Sequence, residues 1–159
     1  MRGFERVSEK EFIKHKTLAD YTNITLPARS TKNSAGYDFY IPFPISIKPK
    51  EKLIIPSGIK AYMESDEVLF LVIRSSLGIK YGIRLLNQVG VIDSDYYNND
   101  DNEGHILIGI ENTSDKVVSF NVGDRICQGI FLNYLTSTNE KKPKAERLGG
   151  IGSTKIGNI

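Results

Sequence analysis

The chain has 159 residues, of which 40% are hydrophobic and 25% are charged, proportions typical of one folded domain rather than of a disordered chain. Its formal net charge of +2, with basic and acidic residues interspersed, disfavours binding to a nucleic-acid polymer. The longest apolar run, Val68–Ile73, is too short to cross a membrane, and the single cysteine, Cys127, cannot form an internal disulfide, so we expect a cytoplasmic protein.

The first predicted element is a short helix near the N-terminus. Ser8 and Glu11 have the spacing of a capping box, and Phe12, Ile13 and His15 follow them. We expect this helix to lie at the periphery of the domain.

Short strands are predicted from Ile24 onward, because β-branched and aromatic segments alternate there with Gly, Pro, Asn and Asp. No segment between them has the length and period of a crossover helix, although Leu77–Tyr81 can form one helical turn. The pattern predicts an all-β sandwich, jelly roll or barrel. The predicted strands are Asn23–Leu26, Tyr37–Tyr40, Ile45–Ile47, Leu53–Ile55, Ile59–Met63, Val68–Ile73, Arg84–Gln88, His105–Glu111, Val117–Phe120 and Arg125–Phe131.

A change in composition divides the chain after residue 135. Residues 1–135 form the predicted β-domain, and residues 136–159 form a polar, lysine-rich linker followed by a glycine-rich end. This C-terminal segment is expected to be a mobile arm.

Two segments carry groups suited to binding phosphate. Arg74, Ser75 and Ser76 directly follow the strand Val68–Ile73 and can offer a guanidinium, two hydroxyls and backbone N–H groups. The segment Arg147–Lys155 combines glycines with hydroxyl and basic side chains, the composition of a flexible phosphate clamp. An ordinary loop and a disordered tail have the same compositions, so neither segment is decisive by itself.

A third segment is an apolar strand that ends in Asp93 and Asp95. A carboxylate held at the end of a strand can orient a water molecule as a general base. A type I turn capped by Asp is the alternative, and such turns are far more frequent than catalytic carboxylates. Neither His15 nor His105 has the sequence neighbours of a metal-ligand cluster, so a zinc or iron site is not expected.

A fourth segment, Gly123–Gln128, is a turn that leads into a strand. The two-residue period of a strand places Arg125 and Gln128 on opposite faces. Cys127 is expected to be a packing residue, because no histidine lies near it in the sequence to activate it.

Taken in order, these segments and one near the start of the domain resemble the five motifs of the trimeric dUTP pyrophosphatase (dUTPase) family. The resemblance extends from about Leu26 to Lys155, and the order of the motifs makes it specific. The motifs are Ala35–Asp38, Arg74–Gly78, Gly90–Tyr96 preceded by Asn87, Gly123–Gln128, and Arg147 followed by Gly149–Thr154.

The resemblance implies a jelly-roll-like β-barrel that assembles into a homotrimer with active sites shared between subunits. The implied reaction is hydrolysis of dUTP to dUMP and pyrophosphate, which limits uracil in DNA and supplies dUMP for dTMP synthesis. Asp93 would be the general base for a water that attacks the α-phosphorus, and Mg²⁺ would sit on the triphosphate, with Asp38 reaching it through water. The residues implied to bind substrate are Arg74, Ser75, Ser76, Asn87, Gly90, Val91, Ile92, Tyr96, Gln128, Arg147, Ile151, Gly152, Ser153 and Thr154.

Individual roles follow from the same resemblance. Tyr96 would pack against the deoxyribose and leave no room for a ribose 2′-hydroxyl, while Asn87 and the hairpin backbone would bind the uracil edge. Arg147, Ser153 and Thr154 would close on the outer phosphates of the substrate.

Two departures from the family pattern bear on function. Ile151 replaces the aromatic residue that usually stacks on uracil. Base–aromatic stacking contributes roughly 1–3 kcal/mol, so we expect slower or weaker turnover than in a typical member, but not inactivity. A polar insertion, Asn98–Glu103, follows the third motif.

Two other functions fit parts of the sequence. A dCTP deaminase shares the fold and the phosphate-binding segment, but the Asp93–Tyr96 hairpin and the C-terminal arm favour the pyrophosphatase. A regulatory role through a protein partner, as in phage relatives, would use the Asn98–Glu103 loop and is compatible with catalysis.

Overall fold

The computed structural model describes residues 1–15, 20–141 and 149, and short strands account for most of them. Two short α-helices interrupt the strands: α1 (Glu9–Ile13) and α2 (Ser75–Tyr81). The strands are β1 (Gly3–Arg6), β2 (Ala28–Arg29), β3 (Tyr37–Tyr40), β4 (Ile45–Ile47), β5 (Lys52–Pro56), β6 (Ile59–Tyr62), β7 (Glu67–Ile73), β8 (Ile83–Leu85), β9 (Gly90–Asp93), β10 (Leu107–Asn112), β11 (Val118–Phe120) and β12 (Arg125–Asn133).

The strands form antiparallel sheets that enclose one apolar core. The largest sheet has the order β2-β3-β12-β7-β9, and a smaller one has the order β5-β10-β8. Two further pairs, β1 with β6 and β4 with β11, complete the set of described sheets. Phe39, Leu69 and Ile110 come from three different strands of these sheets, and each is fully buried. The all-β fold class predicted from the sequence is therefore confirmed.

Most predicted strands are confirmed to within a few residues, but the strand predicted at Asn23–Leu26 is wrong. Residues Tyr21–Asn23 form a 3₁₀ turn instead, because the Asp20 side chain accepts a 2.8 Å hydrogen bond from the Thr22 N–H. Such a local side-chain cap gives the backbone an alternative to a sheet. The turn carries the chain into the core at Ile24, which is 1% exposed.

The predicted N-terminal helix is confirmed, but its expected peripheral position is wrong. The Ser8 hydroxyl accepts the Glu11 N–H at 3.1 Å, as a capping box requires. Phe12 of α1 is fully buried, as is Val7 just before the helix. The first residues of the chain therefore close one end of the core. No helix in the described ranges is long and apolar enough to cross a membrane.

Candidate active site

Charged side chains converge at one end of the five-stranded sheet. Asp38 on β3 is 5% exposed, and its Oδ1 lies 3.0 Å from Nε of Arg74. Its Oδ2 lies 3.3 Å from Nη1 of Arg125 and accepts a hydrogen bond from the Ser30 hydroxyl. Because a buried carboxylate is costly unless it is paired and hydrogen-bonded, these contacts fix the positions of both guanidinium groups.

The expectation that Arg125 and Gln128 face opposite sides of β12 is wrong. Arg125 pairs with Tyr40 and Gln128 with Asp38, but a register shift between Arg125 and Cys127 inserts an extra residue on β12. A β-bulge of this kind interrupts the two-residue alternation. As a result, Arg125 and Gln128 both lie on the Asp38 side of the sheet.

Gly36 is required by the position of the Gln128 side chain. A Cβ atom on Gly36 would lie 2.1 Å from Oε1 of Gln128, so any side chain at this position would displace the Gln128 amide. The absence of a side chain at this position lets the Gln128 amide lie against the backbone of the first motif. The first and fourth motifs are thus physically adjacent, as the resemblance implies.

An open cleft of about 290 Å³ adjoins the two arginines. Arg74 and Arg125 line it together with Asp124 and the apolar faces of Leu77 and Phe120. The contact between Arg74 and Asp38 uses Nε and does not occupy the terminal nitrogens of Arg74. These nitrogens can form charge-assisted hydrogen bonds to phosphate oxygens.

The second motif begins α2 directly after β7. Arg74 is the N-cap residue, and Ser75 and Ser76 form the first turn, with Ser75 exposed and Ser76 half-buried. The first N–H groups of a helix have no partner within the helix. The hydroxyls and first N–H groups of this turn therefore follow Arg74 directly at the start of α2.

Asp93 lies at the opposite end of the same sheet. It ends β9, which pairs with β7 in the antiparallel register Gly90 to Leu71 and Asp93 to Val68. Arg74 follows the other end of β7, six residues beyond Val68. At about 3.3 Å per residue, this separation is about 20 Å along the strand. Within one chain, the structure does not bring the predicted base to the predicted phosphate-binding residues.

The rest of the third motif surrounds Asp93 in the segment that joins β8 to β9 and in the turn after β9. Asn87 is exposed in this connecting segment, Val91 is 56% exposed, and Ile92 is half-buried. Gly90 is buried, and a Cβ there would lie 3.0 Å from Cβ of Leu71. Tyr96 is 7% exposed in a 3₁₀ turn, and its hydroxyl donates to the carbonyl oxygen of His105 at 2.9 Å.

The predicted residues of the C-terminal arm are outside the described ranges. These residues are Arg147, Ile151, Gly152, Ser153 and Thr154. Their roles therefore stay predictions.

Sequence reasoning missed Ser30 and Arg125 as part of the site. The Arg125 guanidinium donates to the Ser30 hydroxyl at 2.8 Å, and both contact the Asp38 carboxylate. Strict alternation along β12 would place Arg125 on the face opposite Gln128. The bulge places it on the Asp38 side instead. Cys127, in contrast, is confirmed as a packing residue: it is fully buried, and its burial raises the pKa of the thiol.

The fold also brings together His15 and His105, which the sequence did not connect. Glu11 Oε1 lies 3.4 Å from Nε2 of His15 and 3.4 Å from Nδ1 of His105. Two imidazoles and a carboxylate are a donor set that zinc uses. However, the Gly58 N–H donates to Nε2 of His105 at 2.9 Å, so neutral His105 carries its proton on Nδ1, facing Glu11. A metal ion could bind Nδ1 only by displacing that proton. The cluster is therefore better suited to holding a proton between His105 and Glu11 than to binding a metal ion.

Burial of His105 predicts a loss of stability in acid. Desolvation, reinforced by the neighbouring His15, lowers the pKa of His105 from 6.5 to about 4. The unfolded chain therefore binds the proton first, and stability falls as pH drops from about 6.5 to about 4, by up to about 3 kcal/mol. Urea unfolding at a series of pH values measures this. The His105→Gln variant keeps an acceptor for Gly58 and is expected to lose this part of the pH dependence; an unchanged slope in the variant would assign the effect to other groups.

Comparison with known proteins agrees with this geometry. A sequence model of the dUTPase family matches residues 22–155. The deoxyuridine 5′-triphosphate nucleotidohydrolase of Lactococcus lactis subsp. lactis is 45% identical over 155 residues, which cover 97% of each chain.

Solved structures show the same fold. The dUTPase of Streptococcus mutans superposes with a TM-score of 0.73 at 39% identity, covering 86% of this chain and 99% of the other. The dUTPase of Staphylococcus aureus phage phi11 has a TM-score of 0.69 at 19% identity, covering 92% and 98%, and supports the fold alone. The match of the family model across most of the chain, together with the ordered motifs on this fold, establishes that the chain belongs to the dUTPase family.

Proposed function

We propose that this protein hydrolyses dUTP to dUMP and pyrophosphate at active sites that are completed between the subunits of a homotrimer. The relationship to the Lactococcus lactis enzyme along 97% of both chains supports the reaction. The observation that carries the shared site is the separation of Arg74 and Asp93 by the length of β7. A water held by Asp93 can attack a phosphate held by Arg74 only if the two residues come from different chains.

The division of the site follows from this separation. One chain contributes the Asp38 end of the sheet, with Arg74, Ser75, Ser76 and Gln128 as the groups that bind the triphosphate. A second chain contributes its third motif, which runs from Asn87 through β9 to Tyr96. The arm of a third chain, residues 136–159, closes the site through Arg147, Ser153 and Thr154, while Gly152 lets the arm backbone approach and Ile151 covers the base.

In the proposed reaction, Asp93 accepts a proton from water as the water oxygen bonds to the α-phosphorus. The bond from the α-phosphorus to the oxygen that bridges to the β-phosphate breaks, and pyrophosphate leaves with the electron pair. Arg74 holds the leaving phosphates in line with the attacking water. Positioning and charge neutralisation supply most of the acceleration in a reaction of this type.

Members of the dUTPase family use Mg²⁺. The Asp38 carboxylate already lies against Arg74, Arg125 and Ser30, so it fits a contact through water better than direct ligation. A hydrated Mg²⁺ carried on the triphosphate suits this arrangement, because Mg²⁺ retains water ligands. When bound, it would neutralise charge on the phosphate oxygens.

Substrate selection is assigned to the third motif of the second chain. The ring of Tyr96 lies against the deoxyribose and excludes a ribose 2′-hydroxyl. Asn87 and the backbone of Gly90, Val91 and Ile92 bind the uracil edge and leave no room for the thymine methyl group.

A panel of nucleotides tests the proposed reaction. Pyrophosphate release is expected with dUTP, with at least about 100-fold lower kcat/KM for UTP, dTTP and dCTP, as a site built around hydrogen bonds and close packing allows. Ammonia release from dCTP would instead indicate the deaminase. Comparable use of UTP and dUTP would contradict the role given to Tyr96.

Mixed trimers test the shared site. Chains with Asp93→Asn and chains with Arg74→Gln are each expected to be at least about 100-fold less active alone. When they are co-expressed with different tags and purified as mixed trimers, roughly a third of the sites should combine an intact Arg74 with an intact Asp93, because each mixed trimer has one such pair of neighbours. The control is a double variant co-expressed with Asp93→Asn, which has no intact Asp93. Mixed trimers that contain both chains and stay inactive would contradict the division of the site.

Two further predictions from the sequence stay proposals. A cytoplasmic location is in line with the single cysteine, which is buried and free. The proposed regulatory partner would bind the Asn98–Glu103 loop and would act in addition to catalysis.

A further inference from the structure

The inserted loop after the third motif folds inward around Tyr96. Nδ2 of Asn102 donates to the Tyr96 hydroxyl at 2.8 Å, and that hydroxyl donates to the His105 carbonyl oxygen at 2.9 Å. Nδ2 of Asn99 donates to the Tyr96 backbone carbonyl at 2.8 Å. The loop therefore holds the tyrosine at both its hydroxyl and its backbone.

The orientation of the Asn102 amide is determined by its neighbours. Its Oδ1 accepts from Nδ2 of Asn99 at 2.9 Å and from the Gly104 N–H at 3.1 Å. Both neighbours are donors, so the oxygen must face them and the NH₂ group must face Tyr96. The Tyr96 hydroxyl therefore accepts a hydrogen bond from Nδ2 of Asn102 and donates one to the carbonyl oxygen of His105.

The loop is itself rigidly supported. Asn99 is 8% exposed, and its Oδ1 accepts the N–H groups of Asp101 and Asn102 at 3.1 Å each. Glu103 accepts the Ser8 N–H at 2.8 Å and the Ser8 hydroxyl at 2.5 Å. These contacts connect the loop to the buried N-terminal segment, so Asn102 is held in place before any substrate binds.

We infer that Asn102 is a positioning residue for sugar selection, which acts by fixing the ring of Tyr96 through its hydroxyl. This inference rests on the role proposed for Tyr96. Selection against ribose depends on the distance between the ring and C2′, and a displacement of about 1 Å is enough to weaken such an exclusion. The inserted loop thus contributes to sugar selection indirectly: it positions Tyr96 and does not contact the nucleotide.

The test compares kcat/KM for dUTP with that for UTP in single and double variants. Asn102→Ala is expected to reduce the dUTP preference by about fivefold, the effect of one lost neutral hydrogen bond, and Tyr96→Phe, which also loses the bond to His105, by at least as much. The double variant should show no larger reduction than Tyr96→Phe alone, because the hydrogen bond between Asn102 and Tyr96 is already absent in that variant. Tyr96→Phe leaves the loop residues intact, so it also tests the inference if Asn102→Ala lowers the melting temperature.

Asn98→Gly is the matched control in the same loop. Its side chain accepts from Nζ of Lys60 at 2.6 Å and makes no contact with Tyr96 among the described hydrogen bonds. Its backbone has φ of 54°, a conformation that glycine adopts readily, so the dUTP preference should not change.

Two outcomes would overturn the inference: an unchanged dUTP preference in Tyr96→Phe, and multiplying effects in the double variant. Tyr96→Ala then separates this failure from a failure of the proposed function. If Tyr96→Ala loses the preference while Asn102→Ala and Tyr96→Phe keep it, the proposed function stands and only the role of Asn102 is refuted. If Tyr96→Ala also keeps the preference, the role of Tyr96 itself is wrong, and the inference about Asn102 is refuted with it.

Discussion

Replacing Asp93 by Asn is expected to lower kcat for dUTP by about 10³-fold, within the range that general-base catalysis contributes. The amide has the size of the carboxylate but cannot accept the proton of the attacking water. Substrate affinity should change little, because in the proposed site Arg74 of another chain binds the phosphates. Single-turnover pyrophosphate release measures the chemical step, and binding of a non-hydrolysable dUTP analogue measures the affinity.

Asp100→Asn is the matched control for this variant. Asp100 is an exposed carboxylate in the inserted loop, and its substitution removes the same charge close to the third motif in the sequence. Its kcat should equal that of the wild type. Equal rates for Asp93→Asn and the wild type would refute the proposed mechanism, while equal losses in both variants would indicate a general effect of charge.

Replacing Arg74 by Gln is expected to lower kcat/KM by about 10²- to 10³-fold, as for the removal of a donor that stabilises transition-state charge. The variant should also be less stable by about 1–3 kcal/mol, because Asp38 stays buried and loses a charged partner. Steady-state kinetics and urea unfolding measure the two effects separately.

Arg84→Gln provides the control, since Arg84 also contacts a carboxylate, with Nη2 2.8 Å from Oε2 of Glu111. The Arg84 side chain is 61% exposed, against 26% for Arg74, so solvent screens the Arg84 pair more strongly, although Glu111 is only 14% exposed. Substitution of Arg84 should cost less stability than Arg74→Gln and should leave activity nearly unchanged. A similar loss of activity in the two variants would argue that Arg74 has no specific role in binding phosphate.

Much of the fold could be predicted from local patterns in the sequence. The apolar and aromatic segments identified β3, β4, β7 and β12, and the Ser8 capping box identified α1. These elements are encoded by residues close together in the chain. Two errors of the strand prediction have other causes. Strand β1, which was not predicted, pairs with the distant β6, and the turn at Tyr21–Asn23 depends on one side-chain cap.

The candidate site was predicted as a set of residues shared between subunits, but without the distances that separate them in one chain. The ordered motifs identified Asp38, Arg74 and Gln128, which the structure brings to one end of the sheet. Arg125 was missed because a bulge reverses the face that simple alternation assigns to it. The distance from Arg74 to Asp93 depends on the register of β7 with β9, which no local pattern specifies.

Two side chains of the N-terminal segment are buried in the core, although they precede the residues that match the family. The family match starts at residue 22, yet Val7 and Phe12 are fully buried, and the Val7 N–H donates to the Gly58 carbonyl oxygen at 3.0 Å. A version trimmed to the family boundary would remove Val7 and Phe12 from the core and would also remove the Ser8 anchor of the inserted loop. For crystallisation, engineering or fusion, the leading residues should be treated as an integral part of the barrel rather than as a dispensable extension.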